Sequence, residues 1–250
     1  MGRTSRECLL LNGCSHAAGS EIDPLSLEPR GWTPEKAFGA HLARRLGFAQ
    51  HINLAMPGGS NERILRTTLE YLGTHGSEFS PGGLFVVVLW TGPARFEVYD
   101  ETWRTWINLC PGVQDTRWFD DYPPPLQNYF KYHVLVRTSP VEVATRRWVE
   151  VLLLQAYLKN QGIPYLFCNA YHPLDTSDGY ASFRAQLDAS RYYRPFDEDA
   201  TFWHTLRAAG FKVRSPGPKI PRGFQGHYGE DGHVFWAELL TELLVNGEFL

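Results

Sequence analysis

The chain has 250 residues, of which 43% are hydrophobic and 20% charged, which is enough apolar mass for a sizeable core and excludes a disordered chain. A net charge of −3 argues against a protein built to grip a nucleic-acid backbone, which needs a basic face. No apolar stretch approaches the length of a membrane span, and the apolar run behind the basic Met1–Arg6 is far too short for a signal-peptide core, so a cytoplasmic protein is expected.

In chain order, the run Cys8–Leu11 reads as a first buried strand, followed by a sharp turn through Asn12-Gly13-Cys14-Ser15-His16. Thr33-Pro34-Glu35 opens a helix with a cap and a first-turn proline, and Phe38, Leu42 and Leu46 then share one face. His51–Ala55 is the second strand. Beyond Pro57-Gly58-Gly59, Ser60 caps a helix whose buried stripe is Ile64, Leu65, Leu69 and Leu72. Leu84–Trp90 is apolar throughout rather than alternating, as a strand covered on both faces must be. Ser139-Pro140-Val141-Glu142 is a capping box with proline at the first helical position, and Gly162 stops that helix before a fourth strand, Pro164–Cys168. A last helix follows Asp231-Gly232 and carries Phe235, Trp236, Leu239, Leu240 and Leu243.

Strands alternating with helices imply a parallel sheet covered on both faces, in a single α/β domain. Two irregular stretches, at about 95–138 and 172–222, read as insertions over the strand ends; the first is rich in rings and prolines, among them Trp103, Trp106, Trp118 and Phe119. The four cysteines, Cys8, Cys14, Cys110 and Cys168, have no paired spacing and read as reduced thiols. Ligand sites in such sheets lie in the loops that leave the carboxyl ends of the strands.

Four of those loops are rich in small polar residues: Gly13-Cys14-Ser15-His16 after the first strand, Asn53 to Asn61 after the second, Thr91-Gly92-Pro93-Ala94-Arg95 after the third, and Gly226-His227 to Gly232-His233 before the last helix. In this order the segments resemble the blocks of the SGNH hydrolases, the GDSL-like esterases. The resemblance covers roughly residues 8–95 and 224–240. It implies a three-layer α/β/α, flavodoxin-like fold, with Ser15 as nucleophile, His227 as its base, and Gly58 and Thr91 supporting an oxyanion. Asn61, Arg95 and His16 are candidates for touching the substrate, and His233, three residues after Glu230, is an alternative base. The sequence departs from the family pattern at two points. Thr91 stands near the place of the family's oxyanion asparagine, and Phe224, followed by Gln225, stands where the acid three residues before the histidine is found. The partner that orients His227 is therefore expected to be a backbone carbonyl or a distant carboxylate.

The chemistry is coherent without the name. A serine hydroxyl needs a base within hydrogen-bond reach, and a histidine near its ordinary pKa of about 6.5 supplies one at neutral pH. The expected substrate is an O-acyl carbohydrate or small-metabolite ester. Two further readings stay open: an acyltransferase using the same serine, and a binding protein that keeps the fold without catalysis. No cofactor is expected. His227-x5-His233 is not a recurring zinc spacing, so no metal is expected either. The sequence leaves the oligomeric state open.

Overall fold

The computed structural model describes residues 6–22, 32–110, 120, 122–133, 139–214 and 226–247. Its strands are β1 (Cys8–Gly13), β2 (Gln50–Asn53), β3 (Leu84–Trp90), the antiparallel pair β4 (Phe96–Asp100) and β5 (Thr105–Leu109), then β6 (Tyr165–Asn169) and the short pair β7 (Val213–Arg214) and β8 (His227–Tyr228). The helices that matter here are α1 (Ser15–Ala18), α2 (Phe38–Leu46), α3 (Asn61–His75), α4 (Pro124–Tyr132), α5 (Pro140–Asn160), α6 (Phe202–Ala208) and α7 (Glu230–Asn246).

Four strands form one parallel sheet in the order β2-β1-β3-β6. Alternation along each strand sends side chains to opposite faces. Leu9, Leu11, Phe85, Val87 and Leu89 meet Phe38 and Leu42 of α2 and Trp236 and Leu240 of α7. Cys8, Leu10, Val86, Val88 and Trp90 meet Ile64 and Leu72 of α3 and Trp148, Val151 and Leu154 of α5. The protein is thus a three-layer α/β/α sandwich, and both sheet faces are dry, as the unbroken apolar run of β3 requires. Among the described residues no helix is long and apolar enough to cross a membrane. All four cysteines are free, and Cys8, Cys14 and Cys168 are buried.

Local signals place most boundaries. The Ser60 hydroxyl accepts from Arg63 N–H at 3.2 Å and the Ser139 hydroxyl from Glu142 N–H at 3.0 Å, so both caps satisfy donors that a helix start leaves open. The cap expected at Thr33 does not form. Pro34–Lys36 is a 3-10 turn, Ala37 is extended (φ −72°, ψ 159°), and the α-helix begins at Phe38. β2 ends at Asn53 rather than Ala55, because the Asn53 carboxamide takes the Ala55 N–H at 2.9 Å and turns the chain. β6 runs one residue past Cys168, since Asn169 pairs with Trp90. Between β3 and α5, the β4–β5 hairpin and α4 enclose a separate apolar cluster of Phe96, Ile107, Leu109, Leu126 and Phe130. Trp118, Phe119, Phe224, Gln225 and the proline run 216–221 lie outside the described residues.

β1 has room for only one residue type at its end. A Cβ on Gly13 would stand 2.7 Å from Ala17 Cβ and 3.0 Å from the Leu89 carbonyl, so the serine turn and β3 close to this distance only over glycine. Gly13→Ala is expected to lower stability by on the order of 1–3 kcal/mol, the usual cost of overpacking, read as a lower urea midpoint with an unchanged m-value.

Candidate active site

The sheet order creates the site. From central β1 the chain passes first to β2 on one side and then to β3 on the other, so the crossovers diverge at the carboxyl ends of β1 and β3. Ser15 opens α1 just beyond β1, and Thr91 follows β3 directly. Both are buried, Ser15 at 5% exposure.

The loop after β2 is laced to the serine turn. Met56 N–H donates to the Gly13 carbonyl at 3.2 Å, Gly59 N–H to the Met56 carbonyl at 3.0 Å, and the Asn53 amide to the Ala17 carbonyl at 2.8 Å. Gly58 sits in this loop with φ +75°, a conformation that favours glycine, and its N–H makes no hydrogen bond among the described residues. Across the site the Asn61 carboxamide accepts the Thr91 N–H at 2.8 Å and donates to the Thr91 carbonyl at 3.4 Å. Both ends of the Asn61 amide thus bond this backbone, and Asn61 holds Thr91 in place. The Thr91 hydroxyl is buried without a hydrogen-bond partner among the described residues.

The histidines separate by environment. His227, on β8, is buried, and its Nδ1 lies 3.0 Å from a Glu21 carboxylate oxygen. The carboxylate arrives from the other end of the chain. α1 is closed by Gly19 (φ +78°), and Glu21 itself adopts φ +59°, an uncommon conformation for a side chain of this kind. His16 follows Ser15 and sets its ring against that of His227, 4.9 Å between centroids at 64°. It is wholly buried among Tyr171, Phe202 and Trp203, and neither ring nitrogen has a partner among the described residues. Burial first, then His227, His233 and Arg95, hold its pKa well below the usual value.

His233 has a packing role. Its Nδ1 accepts the Phe38 N–H at 3.2 Å, and its ring stacks on Phe38 at 9° between planes. The acid three residues earlier does not reach it, because Glu230 faces His41 at 3.4 Å. Burial, with His227 and His41 adding to it, pushes the His233 pKa down to about 3.

Two residues here carried no motif. Glu21 lies in an irregular loop, and nothing in its spacing from Ser15 marks it. Tyr171 stands just past the carboxyl end of β6, where a ligand-facing residue of this fold belongs, and that position was a usable signal. Its ring centroid is 5.0 Å from that of His16, the residue next to Ser15. Burial and the nearby Cys14 hold the phenol above its ordinary pKa. Arg95 reaches back over the loop after β2, its Nη1 3.5 Å from the Gly59 carbonyl, with its guanidinium 5.7 Å from the centre of the Tyr171 ring.

Fold and site together define a three-layer α/β protein whose strand ends gather a buried serine, a carboxylate-bound histidine and an arginine. The chain belongs to DUF6071, a family of unknown function, whose profile spans residues 22–235 and so begins just after Ser15 and Glu21. No curated protein matches it. Among solved structures it is similar to a family two carbohydrate esterase from Cellvibrio japonicus (14% identity, TM-score 0.46, covering 99% of this chain and 63% of that one). It is likewise similar to an acetyl xylan esterase, AlAXEase (15%, TM-score 0.44, 93% and 97%). A third is the psychrotrophic esterase EstA from Pseudoalteromonas sp. (11%, TM-score 0.43, 97% and 96%).

The buried histidines make stability pH-dependent. Once unfolded, His233 takes up a proton near pH 6.5, whereas the folded chain resists until about pH 3, so the unfolded state binds more protons between those values. The His233 contribution is therefore level above pH 6.5 and falls below it, while Glu150, whose pKa burial pushes up to about 8, acts in the opposite direction between about pH 4.5 and 8. From His233 alone the loss between pH 7 and pH 4 is roughly 3 kcal/mol, with His16 acting in the same direction. Urea unfolding of the wild type and His233→Asn isolates this part: the wild type should lose about 3 kcal/mol relative to the variant between pH 7 and pH 4.

Proposed function

We propose that the protein hydrolyses an ester, an O-acyl group on a carbohydrate or small metabolite, with Ser15 as nucleophile, His227 as general base and Glu21 as the acid that orients it. The observation that supports this most directly is the 3.0 Å contact between His227 Nδ1 and Glu21. It supplies a carboxylate partner to the histidine whose local sequence lacks one.

With Nδ1–H donated to Glu21, His227 is fixed in the tautomer that leaves Nε2 as acceptor. The base then takes the Ser15 proton as Oγ attacks the carbonyl carbon, and Glu21 stabilises the imidazolium that forms. The oxyanion of the tetrahedral intermediate is met by the Ser15 and Gly58 N–H groups and by the Thr91 hydroxyl, each donor worth about 10²–10³ in rate. Collapse breaks the ester C–O bond, and the leaving alcohol takes the proton from His227. Water, deprotonated by the same base, then releases the acid from Ser15. An acceptor alcohol in place of water would make the same acyl-enzyme a transferase intermediate.

A fluorophosphonate probe tests the serine without knowledge of the substrate. Labelling is expected in the wild type and lost in Ser15→Ala. Glu21→Gln should keep the fold and slow labelling by about 10²-fold or more, since a neutral amide no longer fixes the tautomer or stabilises the imidazolium. A folded wild-type protein that takes no label would overturn the reading and leave a binding protein of the same fold.

A further inference from the structure

Arg95 is bonded differently from several arginines of the fold. Arg66 grips both oxygens of Glu97 at 2.8 Å, Arg146 faces Glu62 at 3.3 Å, and Arg194 faces Asp197. Arg147, which is buried, is held by the carbonyls of Pro173 and His172 and by Asn169, at 2.7 to 3.0 Å. That is how a guanidinium with a purely structural role is satisfied. Arg95 has no carboxylate partner among the described residues. Of its five N–H donors one meets the Gly59 carbonyl at 3.5 Å, and the guanidinium stands 5.7 Å from the centre of the Tyr171 ring.

Its position explains why this matters. The Tyr171 ring lies 5.7 Å from the Arg95 guanidinium and 5.0 Å from the ring of His16, which follows Ser15, and Gly59 is the neighbour of Gly58, so the guanidinium stands on the rim of the proposed acyl site. The same strand-end region holds the Thr91 hydroxyl and both nitrogens of His16, polar atoms buried without partners among the described residues. Buried polar groups in folded proteins are paired, and a part-buried cation is favoured by a counter-ion. Unpaired polar atoms close to an arginine that has no carboxylate are what a site for an anionic ligand looks like.

We infer that Arg95 is the anion receptor of this site and that its ester substrate carries a carboxylate. The inference rests on the proposed serine chemistry for the word ester, but the receptor itself rests on Arg95. A planar guanidinium matches a carboxylate with two parallel hydrogen bonds, which fixes orientation as well as affinity. The charge would be read at Arg95 while the carbonyl carbon lies over Ser15.

The test compares 4-nitrophenyl butyrate with mono-4-nitrophenyl glutarate, which has a similar acyl chain ending in a carboxylate. The wild type should favour the glutarate ester in kcat/KM by at least about tenfold, and Arg95→Gln should collapse that ratio, mainly through KM. Arg95→Lys, which keeps the charge but loses the fork, should retain part of it; circular dichroism checks that both variants fold. In parallel, calorimetry with glutarate should show binding to the wild type and to Ser15→Ala, and loss of binding in Arg95→Gln. If neither ester turns over, the serine reading fails, while Arg95-dependent glutarate binding would still support the receptor. A wild type that does not prefer the anionic ester, or a preference and glutarate binding that survive in Arg95→Gln, overturns it.

Discussion

The pairing of β1 with β3 is the constraint from which the rest follows. Six consecutive residues of β1 are in register with β3, from Cys8 opposite Leu84 to Gly13 opposite Leu89, and both strands are buried throughout. A parallel pair covered on both faces cannot slip by one residue without turning its apolar side chains to the wrong layer. The two carboxyl ends are therefore fixed relative to each other, and so are Ser15 and Thr91 beyond them. The other parts of the site hang from this edge. The Gly58 loop is tied to the Gly13 carbonyl, Asn61 holds the backbone of Thr91, and Tyr171 leaves the adjacent strand.

The layers were legible in the sequence because each element carries its own physical signature. β3 shows a continuous apolar run, Ser60 and Ser139 supply caps, and Gly162 breaks a helix before the next strand. The serine turn was legible too, since glycine followed by small polar residues after a buried strand leaves few alternatives. Boundaries shifted where a side chain made a bond that no pattern announces, as Asn53 does in ending β2. Glu21 was illegible for a deeper reason. Its role depends on a backbone conformation with positive φ and on a partner from the opposite end of the chain, and neither leaves a trace in local spacing. Asn61 illustrates the converse: a residue type suited to a ligand bonds a neighbouring backbone.

Three histidines crowd the same region, yet the surroundings give each a different electrostatic fate. His227 alone has a carboxylate in contact. His16 is enclosed by rings and feels the positive charge of Arg95, and His233 is buried against Phe38. Protonating either of the latter two puts a cation into apolar surroundings with no anion to meet it, whereas His227 has the Glu21 carboxylate in contact.

The bond between Glu21 and His227 also has a consequence in time. It joins residues 206 apart in sequence. At 5–20 residues per second, a ribosome that has made the serine turn needs on the order of ten to forty seconds more to deliver the histidine. A nascent chain carries β1, α1 and the carboxylate long before it has anything for that carboxylate to hold. Closing so large a loop is entropically costly and comes late, once the sheet is in place to reward it. The pair thus reports on the completed fold: a chain truncated or stalled before β8 has Ser15 and Glu21 but not His227, however well its sheet has formed.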